Sequence, residues 1–127
     1  MNKQRGIVAV VEDDTSLNHA LARLLVAAGF EVSTFPSAEA LLANHEVTQN
    51  LQCVIADIEL PGMSGLQLCK RLRKTGDCSA CLIITAHDDS EHKSAAMILG
   101  ASYLVKPFTN VAFIDALVQC MPNDDFD

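Results

Sequence analysis

The chain alternates between short blocks that are apolar throughout and longer blocks in which apolar residues recur every three or four positions. Residues 7–11 (Ile-Val-Ala-Val-Val), 54–56 (Val-Ile-Ala) and 81–85 (Cys-Leu-Ile-Ile-Thr) are of the first kind. Runs of this length bounded by polar or turn residues predict strands buried on both faces. Residues 31–35 (Glu-Val-Ser-Thr-Phe) alternate as a more exposed strand does, and 103–105 (Tyr-Leu-Val) make a fifth. Helical spacing fills the gaps. Leu17, Ala20, Leu21, Leu24, Leu25 and Ala28 share one face after a cap at Thr15 or Ser16, and Gly29 suits the left-handed residue that ends a helix. Ser37 caps a helix with Ala38, Leu41 and Leu42. Leu66, Cys69 and Leu72 mark a third helix, reaching Gly76, and Ser90 to Leu99 form a fourth, closed by Gly100. Thr109 caps a fifth with Phe113, Ile114, Leu117, Val118 and Met121, stopped by Pro122 before an acidic tail.

Five strands alternating with five helices predict an α/β fold: a parallel sheet covered on both faces. Right-handed crossovers make it doubly wound, and the flavodoxin-like order 2-1-3-4-5 is the usual five-strand solution. Ligands on such sheets bind beyond the carboxyl ends of the strands. Strand one ends in Glu12-Asp13, three in Asp57, four in Thr85 and five in Lys106, whereas strand two ends in Phe35-Pro36. The order therefore collects the polar strand ends at one place.

Composition narrows the setting. A chain of 127 residues is expected to be one domain over 1–127, with a core at about 7–121 and a tail at 122–127. No apolar run nears the roughly 20 residues of a membrane span. The basic start is followed by an apolar run that stops at Glu12, too short and too acidic for a signal peptide, so a cytoplasmic setting without membrane contact is expected. A net charge of −7 argues against direct nucleic-acid binding. Five cysteines show no disulfide framework, and Cys78-x-x-Cys81 lacks the second pair of a zinc site. The polar stretch from His87 to His92 precedes a helix, where acids suit the dipole. His19 and His45 are expected on solvent-facing helix positions, and Lys70, Arg71, Arg73 and Lys74 on a solvated face.

Glu12, Asp13 and Asp57 would bring three carboxylates together beside one ammonium. Like charges this close need protonation or a bridging cation. Oxygen-only ligands favour a hard ion, Mg²⁺ by availability. With Lys106 and the Thr85 hydroxyl, the set forms a receptor for phosphoryl oxygens, and central Asp57 becomes the nucleophile that forms an aspartyl phosphate. The acid pair can also be read as Asp13-Asp14.

Glu12-Asp13, the Asp57-x-x-x-Pro61-Gly62-Met63-Ser64-Gly65 loop, Thr85-Ala86, Tyr103 and Lys106-Pro107-Phe108 stand in a familiar order. In these motifs the chain resembles the response-regulator receiver domain of two-component signal transduction, over 7–121. The position of Leu17 relative to the acids then favours Glu12-Asp13. The resemblance implies that Asp57 takes phosphate from a sensor histidine kinase or phosphotransfer protein. Asp13 would hold Mg²⁺ directly and Glu12 through water, with Asp57 and the carbonyl of Glu59 completing the set. It further implies a switch made by Thr85 and Tyr103, a cis Lys106-Pro107 peptide, and tuning of phosphate lifetime by Glu59 and His87. Output would pass through the fourth helix, fifth strand and fifth helix, at residues such as Ala95, Ile98, Leu104 and Phe113. The recipient would be a downstream protein or a second copy of the chain. One departure is plain: Gly100-Ala101-Ser102-Tyr103 has one residue between Gly-Ala and the aromatic, where members usually have two.

Two rivals stand beside this reading. A Mg²⁺-dependent phosphohydrolase would carry a second aspartate where Glu59 stands, and a cap domain for which 127 residues leave no room. A degenerate receiver would lack Asp57, Thr85 or Lys106. The expectation is a signalling phosphoacceptor, not an enzyme acting on other substrates, and either a single-domain regulator or part of a longer one.

Overall fold

The computed structural model describes residues 6–76 and 80–121. Its elements in chain order are β1 (Ile7–Val11), α1 (Thr15–Ala27), β2 (Glu31–Phe35), α2 (Ala38–Leu42), α3 (His45–Thr48), β3 (Leu51–Asp57), α4 (Gly65–Thr75), β4 (Cys81–Thr85), α5 (Ser90–Ile98), β5 (Ser102–Val105) and α6 (Asn110–Cys120). The five strands are parallel in the order β2-β1-β3-β4-β5, as the sequence predicts.

Among the described residues six helices stand where the sequence predicts five. The segment between β2 and β3 splits because Asn44 starts a new helix, its side chain accepting from the Val47 amide at 3.1 Å. An Asn cap competes with helix continuation by offering the backbone a different acceptor. The first helix is capped by Asp14, one residue before the expected Thr15 or Ser16, with Oδ1 accepting from Leu17 N at 3.2 Å. The third strand is also longer: Leu51 pairs with Ile7 and Cys53 with Val8 ahead of the apolar run, with a register shift between these pairs.

The core has two layers set by strand alternation. Val8, Val10, Cys53, Ile55, Leu82 and Ile84 face α1 and α6, where they meet Leu21, Leu25, Phe113 and Leu117. Ala9, Val11, Val54 and Ala56 face α2, α3 and α4 through Leu41, Val47, Leu68 and Leu72, and Ile83 meets Ala96 of α5. Each fully buried Leu or Ile contributes about 1.5–3 kcal/mol, so the sheet is a rigid base for whatever stands on its carboxyl edge. Among the described residues no helix is long and apolar enough to cross a membrane.

Candidate functional site

Strand register builds the site. Val11 pairs with Ala56, so Glu12 and Asp57 leave adjacent strands at the same level. Thr85 pairs with Val105, and the Lys106 amide donates to the Thr85 carbonyl at 2.7 Å, which sets the lysine one step beyond the threonine. Lys106 Nζ then lies 2.7 Å from Asp57 Oδ2 and 3.2 Å from Glu12 Oε1. Asp57 Oδ1 accepts from the Glu59 amide at 2.9 Å, and Glu12 Oε2 from the Asp14 amide at 3.0 Å. Asp57 and Glu12 are buried, and Asp13 is exposed. A small open cavity between α1 and the end of β2 is lined by Glu12 and Asp13.

The electrostatics are those of a crowded, partly compensated acid cluster. Burial pushes Glu12 above its ordinary carboxylate range and the charge of Asp57 adds to the push, while the Asp14 amide and Lys106 only partly offset them. Burial by itself would lower Lys106, but Asp57 and Glu12 outweigh it and hold the ammonium above its ordinary value. Carboxylate oxygens from Glu12, Asp13 and Asp57 all lie within 4.8 Å of one another. Three oxygen donors at this spacing, with one ammonium for three acids, fit a hard divalent ion of the Mg²⁺ kind.

The loops after the strands are held in defined ways. Pro61, Gly62 and Met63 lead into α4, where Ser64 and Gln67 form a reciprocal capping box. At Gly65 an added Cβ would collide with the Asp57 carbonyl, so the helix starts against the acid's own backbone because that residue is glycine. Glu39 of α2 accepts from the Met63 amide at 2.9 Å and lies where a Cβ on Gly62 (φ +79°) would fall. The sequence reading missed Glu39. An exposed glutamate in a helix's first turn reads as a dipole partner, and its hydrogen bond is made 24 residues away.

Thr85 is fully buried, and its hydroxyl works within its own loop. It donates to the His87 carbonyl at 3.3 Å and accepts from the His87 amide at 3.0 Å. Tyr103 OH reaches the same carbonyl at 3.4 Å and that of Asp89 at 3.5 Å. The shortened turn before Tyr103 still closes: Gly100 takes φ +74° and the Ala101 amide donates to Ala96 O at 2.9 Å. Glu59 and His87 meet across the mouth of the site, Oε2 to Nδ1 at 2.6 Å. The structure thus gathers Glu12, Asp13, Asp57 and Lys106 into one cluster, and joins Thr85, Tyr103, His87 and Glu59 in a second network beside it. The Lys106-Pro107 peptide is cis.

The fourth-helix, fifth-strand, fifth-helix face of the sequence reading is α5, β5 and α6. Ile98 is 85% exposed there and Val111 70%. Phe113 is a correction: it is fully buried and stacks on Phe108 with ring centroids 5.7 Å apart, because the inner face of α6 closes the core. His19 and His45 are exposed, and Cys78 and the 122–127 tail lie outside the described residues. Cys81 is buried among apolar neighbours, as a small hydrophobe would be. Its thiol hydrogen-bonds Cys69, which that contact and the nearby Arg73 bring down to about 7.

Comparison with known proteins places this geometry. Residues 8–118 match the response regulator receiver domain. The chain is 38% identical over 111 residues to the transcriptional regulatory protein FixJ of Azorhizobium caulinodans, covering 87% of this chain and 52% of that protein. It is 41% identical over 107 residues to the DNA-binding transcriptional regulator NtrC of Escherichia coli, covering 83% and 22%. Among solved structures, FixJ-N superposes with a TM-score of 0.80 at 32% identity, covering 93% of this chain and 94% of that one. The chain thus spans about half of FixJ's length and less than a quarter of NtrC's. By its fold, its strand-end residues and a match over most of its length, the chain belongs to the response regulator receiver domain family of two-component signalling.

Proposed function

We propose that the chain, read as one receiver domain over 1–127, is a phosphoacceptor switch in which Asp57 is the phosphorylated residue. The observation that carries this is the Asp57 carboxylate held between Lys106 Nζ at 2.7 Å and the Glu59 amide at 2.9 Å, beside two further acids. Asp57 attacks phosphorus, and the bond from phosphorus to the donor's leaving atom breaks. With a sensor histidine kinase or phosphotransfer protein as donor, that atom is a histidine nitrogen.

Glu12, Asp13 and Asp57, with the Glu59 carbonyl, would hold a Mg²⁺ ion, which when bound neutralises charge on the phosphoryl oxygens. Lys106 supplies the second positive charge and is already oriented, so little reorganisation precedes transfer. The Thr85 hydroxyl gains a charged acceptor once phosphate is present and leaves His87 for it, and Tyr103, bonded to the same carbonyl, follows. The exposed apolar residues of α5 and α6 then present a changed face to a downstream protein or a second copy of the chain. Glu59 and His87, bridged across the mouth, govern how readily water reaches the aspartyl phosphate.

Incubation with acetyl phosphate followed by intact-mass measurement tests the reading. One phosphoryl adduct is expected with Mg²⁺ and none after chelation. Catalytic turnover of a small phosphate ester, with no adduct on the chain, would instead indicate a hydrolase.

A further inference from the structure

Cys53 and Cys120 come together from distant parts of the chain. Cys53 lies in β3, fully buried, and Cys120 is the last residue of α6, half-buried at the opposite end of the sheet from Asp57. Their sulfurs are 3.7 Å apart across a separation of 67 residues. Both are thiols. To reach the covalent spacing of about 2.05 Å the sulfurs must close by roughly 1.6 Å. Cys120 is placed to supply that movement, because the chain leaves the helix at Met121 in an extended conformation. Side-chain rotation in a terminal turn costs less than shifting a central strand.

We propose that Cys53 and Cys120 form a reversible thiol–disulfide site that reacts with small disulfides in an ordered way. Cys120, the less buried partner, loses its proton and attacks one sulfur of the small disulfide. An S–S bond forms to Cys120, and the other half leaves and takes up the proton. Cys53 Sγ then gives up its proton and attacks Cys120 Sγ, and the second half leaves as a thiol. Two protein thiols are oxidised by two electrons, and the small disulfide is reduced to two thiols. The order follows from burial: a bulky disulfide reaches the half-buried Cys120 more readily than the fully buried Cys53. The product ties the last turn of α6 to the centre of the sheet, and so links thiol redox state to the helix that forms one wall of the α5–β5–α6 face.

The test is incubation of the folded protein with glutathione disulfide, followed by intact mass and peptide mapping without reduction. The wild type is expected to lose two hydrogens and yield a linked peptide pair containing Cys53 and Cys120, reversed by excess reduced glutathione. Cys53→Ser is expected to stop at a glutathione adduct on Cys120. Cys120→Ser, a change at a half-buried helix end, is expected to form neither the adduct nor the link at Cys53. A wild type that stops at adducts, a link formed elsewhere, or Cys120→Ser modified at Cys53 as fast as wild type at Cys120 would overturn the proposal.

Discussion

The hydroxyls of Thr85 and Tyr103 meet at one atom, the carbonyl oxygen of His87, at 3.3 and 3.4 Å. A carbonyl with two lone pairs accommodates both donors. The sharing couples a buried strand-end threonine to a half-buried ring on the edge strand β5. Whatever draws the threonine away changes the ring's environment.

Beryllofluoride, which mimics the aspartyl phosphate, should therefore move the NMR signals of Tyr103 and of the α5 and α6 amides. One charge-assisted hydrogen bond is worth about 1.5–3 kcal/mol, a population shift of roughly tenfold to a hundredfold. Thr85→Ser should keep the response and Thr85→Ala should lose most of it. Equal shifts in Thr85→Ala and wild type would show that the signal bypasses the hydroxyl.

Gly65→Ala tests the seat of Asp57. The new methyl meets the Asp57 carbonyl, and backbone cannot swing aside as a side chain can. Denaturant unfolding should show a loss of about 1–3 kcal/mol, in the range of overpacked cores. The phosphorylation rate from acetyl phosphate should fall with it. A variant as stable as wild type would mean that the β3–α4 junction is softer than its geometry indicates.

Much of this architecture was legible in the residues. Strand order followed from five strand-like segments alternating with helices and the crossover rule, and strand-end chemistry followed from the order, because parallel register fixes what leaves each strand beside what. Contacts made by loops were not legible. Glu39 reaches Met63 from another element, and the helix break at Asn44 depends on one side chain choosing its own backbone. Phe113 carries a helical signal that fits either face, and packing against Phe108 decides it. The His87 carbonyl is a backbone atom, so no residue type announces its role.

Glu12→Gln should stabilise the metal-free protein at neutral pH while weakening Mg²⁺ binding. Burial holds Glu12 above its ordinary value of 4.5, so the folded state disfavours the ionised form and the neutral amide removes that cost. The sign follows from linkage: an acid raised in the fold costs stability fully above its folded value, and the cost vanishes as pH falls below the unfolded value. The two proteins should thus converge in stability on acidification below about 4.5. Mg²⁺ titration followed by the fluorescence of Tyr103, the only tyrosine, should show affinity reduced ~10–100-fold, as for loss of a group that orients a metal's ligands. A gap in stability that persists at acid pH would point to lost packing instead.

The central claim is that Asp57, alone among the neighbouring acids Glu12, Asp13, Asp14 and Asp57, takes the phosphoryl group, and the most direct measurement reads the site itself. Protein phosphorylated by acetyl phosphate with Mg²⁺ is treated with borohydride, which reduces an aspartyl phosphate to homoserine, and the peptides are sequenced by mass spectrometry. The account predicts homoserine at position 57 alone, and none in Asp57→Asn. Homoserine at position 13 or 14, or an adduct that persists in Asp57→Asn, would contradict it.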